Sequence, residues 1–396
     1  MSEQPLPSVV VHIVTFNSSR TILPCLESAL GQQGFELDAN LLVAVTDNAS
    51  IDDTSAIVLQ HFGNRVQFTQ NSVNLGFCAA HNHGINTALS GGARYVLLLN
   101  PDCRLAPDAL AQLVSTLEND PRSGAACPKL LRANAGLEPV VPHVFDSSGM
   151  YITPQIRHFD RASQQLDYGQ HDCEEYVFGA SGAAILLKSH FIEDAALPPL
   201  SVGMPARLFD EAFFAYREDA DLAWRALRLG WKCRYVPQAA AFHERVVLPE
   251  NRKALPAELN AYSVRNRFLL QFNNFSFWTN LHCLPLMILR NILVILGALF
   301  VERSSLPGLR GAYCLLPQAR RNRLWLAKRE RICPAYAAKW FSSRPYSEPL
   351  LTRRAAAAKI QSLLIVIINY NSGSRLTECL KSLSPALRGM MPQIHA

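Results

Sequence analysis

The chain has 396 residues, 49% hydrophobic and 18% charged, which supplies a sizeable core and excludes bulk disorder. The formal net charge of +6 conceals a division: residues 1–244 carry 16 basic and 26 acidic side chains, residues 245–360 carry 19 and 5. Two such halves imply different partners, and the basic one suits an anionic membrane face or nucleic acid.

SVVVHIVTFN (8–17) reads as a buried strand ending in polar residues, followed by helical spacing over residues 20–30 with Ile22, Leu23, Leu26 and Leu30 on one face. NLLVAVTDNAS (40–50) is a second strand, and DDTSAIVLQHF (52–62) a helix opened by Asp52, Asp53 and Thr54. RVQFTQN (65–71) is a third strand, a helix covers about 76–89, and RYVLLLN (94–100) is a fourth strand stopped by Asn-Pro. Strands alternating with helices predict a parallel sheet wrapped by helices, with ligands beyond the carboxyl ends of the strands. Asn17, Asp47 and Asp102 stand at such ends. No GxGxxG follows the first strand and no GxxxxGK[ST] occurs, so neither a dinucleotide fingerprint nor a P-loop is supported.

Residues 133–175 are polar and read as an irregular insert. EDADLAWRALRLG (218–230) has helical spacing, acids at its start and Gly230 as its stop. KCRYVP (232–237) and AFHERV (241–246) read as two further strands. LHCLPLMILRNILVILGALFV (281–301) is the most apolar window, about long enough to span a bilayer. Pro285 and Arg290-Asn291 argue instead for a hairpin or helix lying in the interface, its alternative being a buried helical pair.

SVVVHIVTFNSSRTILPCLESAL (8–30) is echoed by SLLIVIINYNSGSRLTECLKSL (362–383) at a shift of 354, after a linker-like TRRAAAAKIQ (352–361). This divides the chain into a catalytic domain (1–250), a helical basic extension (251–351), a linker (352–361) and the opening of a second, truncated domain (362–396). The ten cysteines form no CxxC pair, so a structural zinc site is not expected. MSEQPLPSVVVHIVTFN has no basic n-region or cleavage site, so cytosolic placement with reduced thiols is expected.

The strand ends and the acidic helix start offer Asp47, Asp102, Glu218, Asp219 and His243. A phosphorylated donor among carboxylates calls for a cation, and Mg2+ or Mn2+ suits few carboxylates plus phosphate oxygens. Taken singly each residue has a structural reading. Asp102 could be a turn residue, Glu218 and Asp219 helix-capping acids, and Asp221 with Arg225 an i,i+4 pair.

Taken in order, VTFN (14–17), TDNASIDDT (46–54), NLGFCAAHNHGI (74–85), LLNPD (98–102), FDEAFFAYREDADLAWRALRLGW (209–231) and His243 resemble the successive motifs of family-2 glycosyltransferases, in particular the bacterial rhamnosyltransferase-like branch. The resemblance covers roughly residues 8–250 and continues more weakly through RNRFLL (265–270). It implies an α/β fold of GT-A type, with a Rossmann-like, mostly parallel sheet flanked by helices and a C-terminal helical, basic, membrane-associating extension.

The resemblance also implies roles. Thr15, Asn17, Asp47, Asn74 and Gly76 would line the nucleotide-sugar pocket. Asp102 would hold metal and diphosphate, with His243 the second metal ligand. Asp219 would be the catalytic base, kept at low pKa by its helix N-terminus, with Glu218 the second choice. Trp224 and Arg225 would shape the acceptor site. Relatives often carry two acids in the strand-end motif, where Asn100 stands first here.

The expected activity is that of an inverting, divalent-cation-dependent transferase. It would move a sugar, L-rhamnose from dTDP-rhamnose, onto a growing cell-surface glycan at the cytoplasmic face of the inner membrane. The alternatives are a UDP-hexose or furanose donor, or a non-catalytic glycan- or membrane-binding module. Nucleic acid is not an expected partner, because the basic segment lacks interleaved aromatics or a known motif.

Overall fold

The computed structural model describes residues 8–245 and 257–350. The first four apolar runs form β1 (Val9–Thr15), β2 (Leu41–Asp47), β3 (Gln67–Gln70) and β4 (Tyr95–Leu99), separated by α1 (Ile22–Leu30), α2 (Thr54–Phe62) and α3 (Gly76–Ser90). These strands are parallel, ordered β4-β1-β2-β3. Their continuous Val, Ile and Leu runs suit strands covered on both faces. Ile13, Val43 and Leu99 are buried in one cluster, and Val96 and Leu98 in another.

The chain continues through β5 (Cys103–Leu105), α4 (Ala109–Glu118) and β6 (Ser123–Arg132). Residues 133–175, expected to be irregular, contain β7 (Phe145–Ser147), β8 (Met150–Ile152) and β9 (His158–Asp160). These three-residue strands are too short to show periodicity. Then come β10 (Glu175–Val177), β11 (Ala184–Lys188), α5 (Ser189–Ala195), α6 (Glu218–Arg228) and β12 (Lys232–His243). β11 is antiparallel between β4 and β6, and β12 is parallel to β6.

Residues 232–237 and 241–246, expected as two strands, prove to share one: β12 runs unbroken from Lys232 to His243. Its register shifts between Val236 and Ala240, where Val236 pairs with Pro128. Proline has no N–H for the ladder, and a bulge there lets the strand bend and continue.

Six helices complete the described chain: α7 (Ala257–Asn274), α8 (Phe277–Asn280), α9 (Leu284–Phe300), α10 (Leu306–Cys314), α11 (Leu316–Arg329) and α12 (Pro334–Ala338). They are not a separate module. Residues up to Leu350 form one compact unit, and β13 (Glu348–Pro349) pairs with β10 at the edge of the central sheet. The boundary expected at residue 250 therefore divides no compact units. The linker at 352–361 and the repeat at 362–396 lie outside the described residues.

The apolar window is a single helix, neither a hairpin nor a buried pair. Phe277–Phe300 forms a 24-residue helical stretch with an 18-residue window of mean hydropathy 2.2, only 11% of which is buried. Pro285 sits in the first turn of α9, where a missing N–H costs nothing. Asn291 faces inward and exchanges hydrogen bonds with Gln271 (2.7 and 3.2 Å) while accepting one from Arg267 (3.0 Å). Leu286, Leu289, Leu293, Leu296 and Phe300 face outward and are exposed.

Candidate active site

A cleft of about 570 Å3 opens beyond the carboxyl ends of the strands, lined by Asp102, His243, Glu218 and Asp219 among others. Asp102 and His243 lie 141 positions apart and meet because β12 pairs antiparallel with β5. His243 is opposite Cys103, next to Asp102. His243 Nε2 lies 3.3 Å from Asp102 Oδ1, a buried oxygen that accepts no well-directed hydrogen bond. His243 Nδ1 is 2.8 Å from Asp146 Oδ2. Asp146 is fully buried, and its Oδ1 lies 2.9 Å from both Arg132 Nε and Arg245 Nε. Burial works against a charge on His243, but the carboxylates of Asp102 and Asp146 win and raise its pKa to about 9.

The Asp102 carboxylate and the His243 imidazole, 3.3 Å apart, are the two side chains here that would hold a divalent cation. A histidine whose other nitrogen is held by a carboxylate is oriented as metal-ligating histidines are. Among the described residues no group of three His, Cys, Asp or Glu side chains is placed to hold a metal ion, so a cation there would need ligands from outside the protein.

Glu218 and Asp219 open α6 across the cleft. Both carboxyls are pushed up by burial. Glu218 reaches about 8, with Asp219 adding to the shift, and Asp219 also rises. The low pKa expected for Asp219 is thus overturned, because desolvation outweighs the helix N-terminus. The two still differ. Asp219 accepts backbone hydrogen bonds from Ala220 (2.7 Å) and Gly182 (3.4 Å), and Arg217 and Arg245 favour its charge. Glu218 Oε2 is buried without a donor. The pair therefore holds its negative charge on Asp219 and a proton on Glu218, the division that a base at Asp219 requires.

The Glu218–Asp219 pair is preceded by a strained segment. Phe214, Tyr216 and Arg217 have φ of 62°, 70° and 74°, left-handed values that non-glycine residues adopt only under constraint. The constraint is Asn266 on α7, whose Nδ2 lies 2.8–2.9 Å from the carbonyls of Phe213, Ala215 and Tyr216. Just upstream, buried Asp210 accepts hydrogen bonds from Asn273 (3.0 Å), Gln318 (2.6 Å) and Asn322 (2.8 Å). Asp146, Asp210 and Asn266 were missed in the sequence. The only signal was RNRFLL (265–270), which carried a resemblance but no role.

The other expected residues divide. Thr15, Asn17, Asp47, Asn74 and Gly76 do not line the cleft. They build the loops at the ends of β1, β2 and β3. Asp47 is buried and fully occupied, accepting from Thr15 Oγ1 (2.7 Å), Ser50 Oγ (2.5 Å), Ser50 N (3.0 Å) and Gln70 (3.3 Å). Asn17 accepts from Ile51 N (2.9 Å) and Asn74 from Gly76 N (2.8 Å). Gly76 has φ +79°, and a Cβ there would lie 2.5 Å from Phe214, so this position excludes side chains.

Trp224 and Arg225 do not shape an acceptor site. Both are buried in the core: Trp224 packs edge-on against Phe341, and Arg225 donates to the carbonyls of Ala195 and Leu208 and to Asp221. They sit well past the first turn of α6, and only that turn reaches the cleft.

Residues 10–175 match the family model described as glycosyl transferase family 2. The N-acetylglucosaminyl-diphospho-decaprenol L-rhamnosyltransferase of Mycobacterium tuberculosis is 27% identical over 235 residues, covering 56% of this chain and 72% of that protein. The succinoglycan biosynthesis protein ExoO of Rhizobium meliloti is 32% identical over 109 residues, 28% of this chain and 29% of that one. Among solved structures, GalNAc-T7 with UDP, GalNAc and Mn2+ superposes with a TM-score of 0.52 at 14% identity, over 68% of this chain and 48% of that one. Residues 10–175 are thus similar to the family-2 glycosyltransferases, and the fold is like that of GalNAc-T7. The mycobacterial protein that this chain resembles over 235 residues is named as a rhamnosyltransferase.

Proposed function

We propose that the chain is an inverting, divalent-cation-dependent transferase that moves L-rhamnose from dTDP-rhamnose to a hydroxyl of a growing cell-surface glycan on a lipid carrier. The observation that carries this reading is a single cleft with Asp102 and His243 on one side and the Glu218–Asp219 pair on the other. Such a cleft separates the leaving diphosphate from the attacking hydroxyl. Asp219 accepts the proton as the acceptor oxygen bonds to the anomeric carbon, and the carbon–phosphate oxygen bond breaks with its electrons leaving on the nucleoside diphosphate. Protonated Glu218 keeps a second negative charge out of the site. Asp102 and His243 would hold the cation, which when bound would neutralise charge on the departing diphosphate. Asp146 fixes the His243 ring so that Nε2 faces that position. The loops of Thr15, Asn17, Asp47, Asn74 and Gly76 would receive the nucleoside. Donor and acceptor classes rest on the mycobacterial relative's name, and the cation is favoured by the Mn2+ in GalNAc-T7.

The rear half would hold the protein at the cytoplasmic membrane face. α9 presents an apolar face outward and keeps Asn291 inward, as a helix lying in the interface would. Arg303, Arg310, Arg320 and Arg321 are exposed nearby in sequence, each worth about 1 kcal/mol at an anionic surface. The test is a panel of sugar nucleotides with Mg2+ or Mn2+, following nucleoside diphosphate release and the anomeric configuration of the product. Retention of configuration, or turnover that survives thorough chelation, overturns the mechanism.

A further inference from the structure

Three side chains from three separate elements line the cleft and have no part in the transfer step above. Asn260 on α7 is only 5% exposed, yet its Oδ1 accepts no hydrogen bond among the described residues. His158 on β9 has a buried Nδ1 that is likewise unpartnered. Burial, and after it the charge on Arg217, lower the His158 pKa to about 3. The ring is therefore neutral, with one N–H and one bare nitrogen. Tyr216 is 44% exposed, an aromatic ring left open at the cleft. Buried polar atoms are nearly always paired in native proteins, so two unpaired ones in one cleft mark places that a ligand fills.

Chemistry and position define that ligand. An amide oxygen only accepts, so Asn260 Oδ1 calls for an O–H or N–H donor, and a neutral imidazole nitrogen pairs with a hydroxyl in either tautomer. An open aromatic face beside a few placed polar atoms suits the apolar face of a sugar ring. All three side chains stand on the side of the base. Tyr216 lies two residues before Glu218, and its carbonyl accepts from Asn266, on the same helix as Asn260. Arg217, between Tyr216 and Glu218, is close enough to His158 to oppose a charge on it. We propose that Asn260, His158 and Tyr216 form the acceptor-sugar subsite and select the hydroxyl that attacks. Tyr216 underlies the ring, while Asn260 Oδ1 and His158 Nδ1 bond the hydroxyls flanking the one presented to Asp219. This rests on the transferase reading above and adds what orients the acceptor, the part expected of Trp224 and Arg225.

The test is saturation-transfer NMR titration of the full chain, with Mg2+ and dTDP or UDP present. The probes are phenyl glycosides of the common hexoses and N-acetylhexosamines, followed by monodeoxy analogues of those that bind. With the unaltered protein, loss of a flanking hydroxyl should weaken binding about tenfold, the effect of leaving a buried acceptor unpaired. N260L should bind a parent glycoside and the analogue lacking one such hydroxyl within about twofold of each other, and H158F should do so for a different hydroxyl. Y216A should weaken every glycoside, and Y216F should restore the binding. Thermal melts report whether each variant is folded. Absence of binding by every glycoside, equal binding of parents and analogues by the unaltered protein, or unchanged analogue ratios in a folded N260L overturns the proposal. Nucleoside diphosphate release by the unaltered protein is read separately. Release without glycoside binding removes the subsite alone, and hydroxyl-selective binding without release from any sugar nucleotide removes the transferase reading alone.

Discussion

Replacing Asp210 by Asn tests whether the rear helices hold the catalytic segment in place. Asp210 Oδ1 accepts from Gln318 (2.6 Å) and Ala212 N (3.2 Å), and its Oδ2 from Asn273 (3.0 Å) and Asn322 (2.8 Å). Arg207, also buried, lies 3.5 Å from Oδ1. An amide keeps the shape but offers one oxygen, so in either orientation two buried donors face an NH2 group. Each orphaned donor costs about 1–3 kcal/mol, and loss of the charged partner of Arg207 adds about as much. The sum is about 3–9 kcal/mol, a large part of the 5–15 kcal/mol typical of a domain. Urea unfolding should show the free energy of unfolding fall by that amount, and N322A should cost less in the D210N background than alone, because the two share one bond. A D210N protein within about 1 kcal/mol of the unaltered one, or strictly additive losses, would refute the clamp.

Four further outcomes are expected. D102N should abolish transfer while the protein still folds, its cost to stability being the lost support for charged His243; retained transfer contradicts its place in the diphosphate site. D219N should lower kcat by roughly two to four decades with donor binding intact, and a milder loss than that of E218Q would reverse the two roles. N266A should relax the left-handed segment 214–217 and cut kcat by roughly a hundredfold, as misplacement of a base by about 1 Å does, with little change in donor affinity by calorimetry. Glu218, at about 8 in the folded protein against an ordinary 4.5, keeps a proton that the unfolded chain has lost. Its contribution is therefore complete below pH 4.5 and disappears as pH rises through 8. Stability measured across that window should decline in the unaltered protein and decline less in E218Q.

The sequence by itself determined the front of the molecule. β1, β2 and β4 with α1, α2 and α3 follow from apolar period, cap and stop signals, because these strands are buried on both faces and local pattern matches environment. It also placed Asp102 at a strand end, Glu218 and Asp219 at the start of α6, and Gly230, with φ +83°, just past its last turn. Tertiary structure decided the rest. Asp102 and His243 meet only through the pairing of β5 with β12, a long-range register that no local pattern encodes. Asp146 joins them from a three-residue strand. Trp224 and Arg225, expected at an acceptor site, are instead buried, Trp224 against Phe341 from the rear of the chain and Arg225 against the carbonyls of Ala195 and Leu208. Burial likewise raises the pKa of Asp219, which an isolated helix N-terminus would lower, because desolvation depends on what packs around a carboxyl and not on its neighbours in sequence.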